Sequence, residues 1–359
     1  MTSATDTGMD GVPVHGRRAL ALAYGLVLLA LAGGAAAIAI FGHAPAAWLD
    51  LPPPPAALEH NAPQGSALTP PPAAIAKLAP VPLLGSGPIT HPVYAGHALL
   101  ADPALIENTD DGPLPRIADD GRKPMTAYAV PAASGKMRIA IVIGGLGLSA
   151  EKTAHALAGL PPGVTLGFVP YESDVQRWVG EARMLGHEVL LEVPMEPFDF
   201  PDSDPGPHTL RSGLGEESNT ERLTWALTRF TGYVGVTNLM GGRFLSDSDS
   251  LSPVMTYLTR RGLLFFDDGT AAQSAGPDVA ASTGAAFAKS NENIDSIQTA
   301  LEIDRHLSNL EDEARAHGSA IGSGYLYPVT VQRVALWARG LSGRGFVLVP
   351  ISAMITAQK

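Results

Sequence analysis

The spacing of apolar positions divides the chain into three zones. Residues 19–41 (ALALAYGLVLLALAGGAAAIAIF) are apolar on every side, 23 residues without a charge. As a helix at ~1.5 Å per residue the run reaches roughly 34 Å, enough for a hydrocarbon core of ~30 Å. Residues 42–135 show neither helical nor strand period and hold 18 of the 31 prolines, including Pro52-Pro53-Pro54-Pro55 and Pro70-Pro71-Pro72. Proline fixes φ and removes an N–H donor, so this zone reads as extended, largely unfolded chain. From Met137 onward, short apolar runs alternate with amphipathic segments.

Residues 137–143 (MRIAIVI) form a continuous apolar run, as in a strand covered on both faces. Ser149 is placed to cap a helix with Ala154, Leu157 and Ala158 as its stripe, stopped by Gly159 and Pro161. Residues 164–169 give a second strand. Ser173 caps a second helix, with Val175, Trp178, Val179 and Ala182 on one face and Gly186 at its end. Residues 188–193 form the third strand. The pattern predicts further helices near 219–230, 252–262, 301–317 and 330–341, and further strands at 233–237, 263–266, 319–323 and 346–350. Such repetition implies a mostly parallel sheet, as a barrel or an open sheet. Chemistry in these folds collects at the C-terminal ends of the strands.

Charge sets the topology. Arg17 and Arg18 precede the apolar run, and the next Lys or Arg is Lys77. That asymmetry predicts a cytoplasmic N-terminus (1–18), a transmembrane helix (19–41) and a domain on the far side of the membrane. The run exceeds the usual signal-peptide core of about 7–15 residues, which favours an anchor over a leader cleaved near Ala44-Pro45-Ala46. Residues 42–111 then act as a tether and 112–359 as one folded domain; the whole proline-rich zone, 42–135, would span roughly 60 Å as a coil. Within it, residues 112–128 are denser in charge and read as an arm packed on the domain. The formal charge of −11 argues against nucleic acid. No cysteine is present, which excludes disulfides, thiolate metal sites and a cysteine nucleophile.

The strand ends carry distinctive motifs: Ile143-Gly144-Gly145-Leu146-Gly147, Glu192-Val193-Pro194-Met195-Glu196-Pro197, Thr237-Asn238-Leu239-Met240-Gly241-Gly242, Asp267-Asp268-Gly269-Thr270 and Gly324-Tyr325-Leu326-Tyr327-Pro328. Together with Gly186-His187-Glu188 and Asp204-Pro205-Gly206-Pro207-His208-Thr209-Leu210, in this order, the set resembles the divergent polysaccharide deacetylases of bacterial envelopes. The resemblance implies a distorted (β/α) barrel of the polysaccharide-deacetylase type and a polysaccharide substrate class. It also implies a zinc site, and here the sequence departs. Where members with an intact site have Ile-Asp-Asp, Asn-His-Met-Gly and Gly-His-Pro, this chain has Ile143-Gly144-Gly145, Asn238-Leu239-Met240-Gly241 and Gly324-Tyr325-Leu326. Glycine, leucine and tyrosine cannot replace the carboxylates and imidazoles of such a centre, so no metal or other cofactor is expected.

Candidate residues follow from position. Glu192, Asp267 and Asp268 are the candidate catalytic carboxylates. Glu196, Asn238, Tyr325 and His187 are candidate substrate-binding groups, with Tyr171 a further aromatic near the strand ends. Each alone reads as a loop cap or rim hydrogen bond, and His187 as a structural histidine at a strand start. As a group, acids and amides beside aromatics suit hydroxyl-rich sugars. Asp199, Asp202 and Asp204 lack the spacing of a calcium loop.

Three functions stay open. The first is an envelope protein of the inner membrane that binds polysaccharide, peptidoglycan fragments or a protein partner without metal-dependent hydrolysis. The second is a deacetylase with a non-standard ligand set. The third, carried by Gly145-Leu146-Gly147-Leu148-Ser149-Ala150 with Glu172 beyond the second strand, is a dinucleotide-binding protein.

Overall fold

The computed structural model describes residues 101–355. The apolar run at 19–41, and the proline-rich stretch as far as residue 100, lie outside the described residues. Among those described, no helix is long and apolar enough to cross a membrane.

The described chain opens with an antiparallel hairpin, β1 (Ile106–Thr109) and β2 (Gly112–Pro115). The main sheet has nine strands. In chain order they are β3 (Met137–Leu146), β4 (Thr165–Phe168), β5 (Val189–Met195), β6 (Gly235–Met240), β7 (Leu264–Asp267), β8 (Phe287–Lys289), β9 (Glu292–Asn293), β10 (Ser319–Tyr325) and β11 (Phe346–Leu348). The ladder runs β8-β7-β6-β5-β4-β3-β10-β9, with β11 beside the start of β3, and every pairing is parallel.

The two ends of this ladder are one stretch of chain. Only Ser290 and Asn291 separate β8 from β9. The Ser290 N–H still donates to Asp267 O on β7 (2.9 Å), whereas the Asn291 N–H donates to Ile321 O on β10 (2.8 Å). The Asn291 side chain accepts the Ile321 N–H in return, at 2.8 Å. The segment changes partner within two residues and so closes the sheet into a distorted barrel, as the resemblance implied.

Helices α1 (Ala150–Gly159), α2 (Val175–Met184), α3 (Glu216–Leu227), α4 (Ser248–Arg260), α5 (Gly276–Thr283), α6 (Ala300–His317) and α7 (Pro328–Arg339) follow strands in the βα alternation. Strand parity sorts the core. Ile139, Ile141, Ile143, Leu191 and Phe265 share one buried cluster with the helices' apolar faces. Ala140, Val142, Leu190, Phe266 and Ile321 belong to a second cluster, inside the barrel.

Local predictions need three corrections. Ser149 does cap α1, accepting from Lys152 N at 3.4 Å, but Thr153, Ala156 and Leu157 are the buried positions, while Ala154 and Ala158 are exposed. Alanines tolerate either side, so they mark a helical phase poorly. In the second helix the predicted stripe is buried, but its N-cap is Asp174; the Ser173 hydroxyl turns to Glu172 instead. Helix α4 starts at Ser248, four residues before Ser252, because the Asp247 carboxylate accepts both the Asp249 and Ser250 N–H groups.

The N-terminal end of the barrel is sealed by the arm and the C-terminal segment. Leu105, Ala118 and Tyr128 from the arm, and Val349 and Ile351 from the C-terminal segment, join the inner cluster. Glu188, fully buried, ties them together. Its carboxylate accepts from Val130 N (3.2 Å), Ser352 N (2.9 Å) and the Ser352 hydroxyl (2.5 Å). Burial raises its pKa against the pull of these bonds. Glu188→Ala strands two backbone donors and is expected to cost about 2–4 kcal/mol. Urea unfolding measures that loss, and faster amide exchange at Ser352 localises it.

Candidate functional site

At the opposite end, where the strands terminate, lies a cleft of about 520 Å³. Parity decides which side chains reach it. On β5, Glu192 follows Leu190 on the inner face; past β7, Asp268 follows Phe266; on β10, Ser323 and Tyr325 follow Ile321. The barrel interior therefore changes from apolar below to polar above.

Glu192 is the floor of the cleft. It is 2 % exposed, and its Oε1 accepts the Gly145 N–H at 2.7 Å. The side chain reaches β3 across β4, which is possible because both strands carry glycine there. A Cβ on Gly144 would overlap the Glu192 carboxylate, and one on Gly167 would stand 2.8 Å from the same oxygen. The second oxygen, Oε2, is buried with no hydrogen-bond partner. Thr237 pairs in register with Glu192 on the neighbouring strand, and its Oγ1 is likewise buried without a partner. Burial, reinforced by the Asp268 charge, pushes the Glu192 carboxyl up to about 8.

The other walls are held by side chain to backbone bonds. Asn238 donates from Nδ2 to Asp268 Oδ1 (2.7 Å) and Met240 O (2.6 Å), and its Oδ1 accepts the Asp268 N–H at 3.0 Å. Burial raises the pKa of Asp268. Asp295, which follows β9, also lines the cleft; its Oδ2 accepts from Tyr325 N (2.7 Å) and the Thr330 hydroxyl (2.8 Å). Its pKa is raised by burial as well. Tyr325, whose pKa burial also raises, lies 5.7 Å from Tyr327, ring to ring.

The predicted site residues separate accordingly. Glu192, Asp268, Asn238 and Tyr325 share the cleft. Asp267 does not line it. It alternates with Phe266 to the outer face, fully buried, and its Oδ1 accepts the Gly269 N–H at 2.9 Å. Glu196 braces the following loop through Ser212 N at 2.7 Å and also stays out of the lining. His187 precedes β5, at the barrel's other end, where its Nδ1 meets Val164 O at 2.9 Å. Tyr171 packs on Trp225, ring centres 5.5 Å apart, away from the cleft. Asp295 was not foreseen: the strand before it is two residues long and leaves no periodic signal.

The zinc centre that the resemblance implies does not fit these residues. The space for a side chain at Gly144 holds the Glu192 carboxylate. Gly145 has φ +85°, and a Cβ there would stand 2.6 Å from the Tyr325 ring. Leu239 is buried and offers no lone pair. Among the described residues no group of three or more His, Asp or Glu side chains is placed to hold a metal ion. The dinucleotide reading meets a similar obstacle, since a glycine-rich phosphate loop needs free N–H groups. The Gly145 N–H is given to Glu192 and the Gly147 N–H to Thr153 Oγ1 at 3.0 Å.

A closed parallel barrel with a polar cleft at the strand ends is the architecture expected of a carbohydrate-esterase relative. Residues 141–355 match the family described as divergent polysaccharide deacetylase, and the chain belongs to that family. The solved structure of the uncharacterized protein ATU2773 from Agrobacterium tumefaciens C58 is similar at 41 % identity and a TM-score of 0.67, covering 68 % of this chain and 100 % of that one. YibQ, an uncharacterized protein of Escherichia coli K12, is 27 % identical over 208 residues, 58 % of this chain and 64 % of that protein. A Haemophilus influenzae Rd protein is 24 % identical over 216 residues, 60 % of this chain and 76 % of its own length.

Two measurements test the Glu192 seat. Gly144→Ala is expected to cost about 1–3 kcal/mol by displacing the carboxylate, and Glu192→Ala in the same chain to recover part of it, a coupling that a double-mutant cycle reads directly. The second is pH dependence. With the folded-state pKa near 8 and the ordinary glutamate value 4.5, the folded chain binds more protons between those limits. Its contribution is complete below pH 4.5 and is lost as pH rises through about 8. Glu188, Asp268 and Asp295, all raised, act in the same sense. The unfolding midpoint should fall from pH 5 to pH 9, and Glu192→Gln should flatten that slope.

Proposed function

We propose that the protein is a membrane-anchored component of the bacterial envelope whose barrel faces the periplasm and binds polysaccharide or peptidoglycan fragments without metal-dependent hydrolysis. The observation that carries this reading is the occupied metal position: Glu192 and Tyr325 fill the space of the side chains at 144 and 145. What remains is a cleft of carboxylates, three amides, several hydroxyls and two tyrosines, which suits sugar hydroxyls and the apolar face of a pyranose ring. Family membership supports the ligand class. The apolar run at 19–41 behind Arg17-Arg18 supports the anchor and its orientation.

A second reading keeps catalysis. A buried carboxylate with a pKa near 8 is suited to general acid–base work, so Glu192 with Asp268 could serve a deacetylase with another ligand set. The full chain, purified from membranes in detergent, separates the two. On the binding reading it holds far less than one zinc per chain and releases no acetate from acetylated peptidoglycan or chitin oligomers. It retains such fragments, and Tyr325→Ala lowers their affinity about tenfold or more, the usual weight of a buried aromatic contact. Stoichiometric zinc with chelator-sensitive acetate release supports the enzyme instead. A reporter fused after Lys359 should be active only outside the cytoplasm.

A further inference from the structure

The lining of the cleft is rich in carboxyl groups and carries no positive charge. Four carboxyl side chains line it, Glu192, Asp199, Asp268 and Asp295, and no Lys, Arg or His does. Asp268 is satisfied by Asn238 and Thr270, Asp295 accepts from Tyr325 N and Thr330, and Asp199 accepts from Ser203. Glu192 is different. It is nine-tenths buried and more, one oxygen is bound to Gly145, and the other has no partner. The orphaned Thr237 Oγ1 sits on the adjacent strand at the same register. Two glycines on two strands leave the room that places Glu192 there. A buried polar atom left without a partner costs about 1–3 kcal/mol, so two among the residues lining one cleft mark a place where a ligand completes the bonding.

We infer that the cleft binds a glycan through a free, protonated amino group, that is, a hexosamine unit whose nitrogen carries no acyl group. This rests on the glycan reading above and narrows it. An ammonium brings three N–H donors and a positive charge. Glu192 Oε2 and Thr237 Oγ1 accept two of the donors, and Asp268 and Asp295 add negative potential from the facing strands. The Tyr325 and Tyr327 rings stand at the rim, where aromatic faces favour both cations and sugar rings. An N-acetyl group matches this floor poorly. Its nitrogen has one donor and no charge, and its carbonyl oxygen would face carboxylates. The cation also resolves the electrostatics of Glu192: with a positive charge beside it, the buried group is stable as a carboxylate.

The test uses the full chain in detergent at pH 7 and low salt, with isothermal titration of two probes, a β-1,4-linked glucosamine tetramer and the same tetramer fully N-acetylated. The amine tetramer should bind at least tenfold more tightly, and the difference should shrink as salt is raised. Glu192→Gln keeps an oxygen for the Gly145 N–H, so the fold is retained and its melting curve checks this; it should lose at least tenfold in affinity for the amine tetramer. Thr237→Val, nearly isosteric, should lose severalfold. Equal or tighter binding of the N-acetylated tetramer, abolished by Tyr325→Ala, overturns the amine inference and leaves the glycan reading standing. Amine binding indifferent to Glu192→Gln also overturns it. Failure of both tetramers to bind removes the two readings together.

Discussion

The structure depends on one short stretch of chain that belongs to both ends of the sheet. Residues 287–293 leave β7 at Ser290 and reach β10 at Asn291, and in doing so they give every strand an inside. Once the sheet is closed, side-chain alternation is no longer a choice between two solvent-facing surfaces. It sorts residues between a layer packed on helices and an interior that must be filled. Leu190, Phe266, Val142 and Ile321 fill the lower interior, and the same inner rows bring Glu192, Asp268, Gly144 and Ser323 to its mouth. Asp267 and Asp268 are neighbours in sequence with opposite fates for this reason alone. The closing segment costs little in unpaired backbone, because the Asn291 side chain supplies the acceptor that the ladder lacks at Ile321.

Within that frame the Glu192 seat shows that the departures from the family's metal pattern are coupled by space. Glu192 can lie across the barrel only if positions 144 and 167 are glycine, and the Tyr325 ring can stand where it does only if position 145 is glycine. An aspartate at 144 and a glutamate at 192 in this rotamer exclude each other. The site is thus a different construction on the same barrel. It is also a costly one. A carboxyl group held by a single N–H, with its pKa displaced to about 8, detracts from stability at neutral pH, and such groups concentrate where function keeps them.

Much of this was legible in the sequence. Long apolar runs mark the strands and their order, and because parallel α/β folds place chemistry at strand ends, Glu192, Asp268, Asn238 and Tyr325 stand out in the sequence alone. The misplacements have short-range causes. Asp267 turns on one residue of register, which a four-residue strand does not resolve. Glu196 lies one residue beyond the end of β5, where periodicity no longer applies and a loop bond to Ser212 decides its role. His187 stands at the correct strand but at its beginning. Asp295, β8, β9 and α5 escaped because strands of two or three residues and an eight-residue helix carry too few positions to display a period. The glycines could be read as an emptied site, but not as room for Glu192, since that contact crosses a whole strand.

The rim shows what holds the mouth of the cleft in order. Met240 has φ +61°, a conformation that non-glycine residues adopt only when their surroundings over-determine it. Here the surroundings are Asn238, whose amide binds the Met240 carbonyl, the Asp268 carboxylate and the Asp268 N–H at once, tying the end of β6 to the end of β7. On the far side, Asp295 does the same for β10 through Tyr325 N and Thr330. Protein side chains thus fix the strand ends to one another, and the fixation needs no ligand. That matters for binding, because groups already immobilised lose little further entropy when a ligand meets them. The strained backbone also holds the Met240 side chain outward, 41 % exposed above a polar floor, with Phe198 at 67 % on the loop after β5. Apolar edges over an acidic base, fixed by the protein's own amides and carboxylates, are the features that the proposed amino-sugar ligand would meet with its ring face and its charged nitrogen.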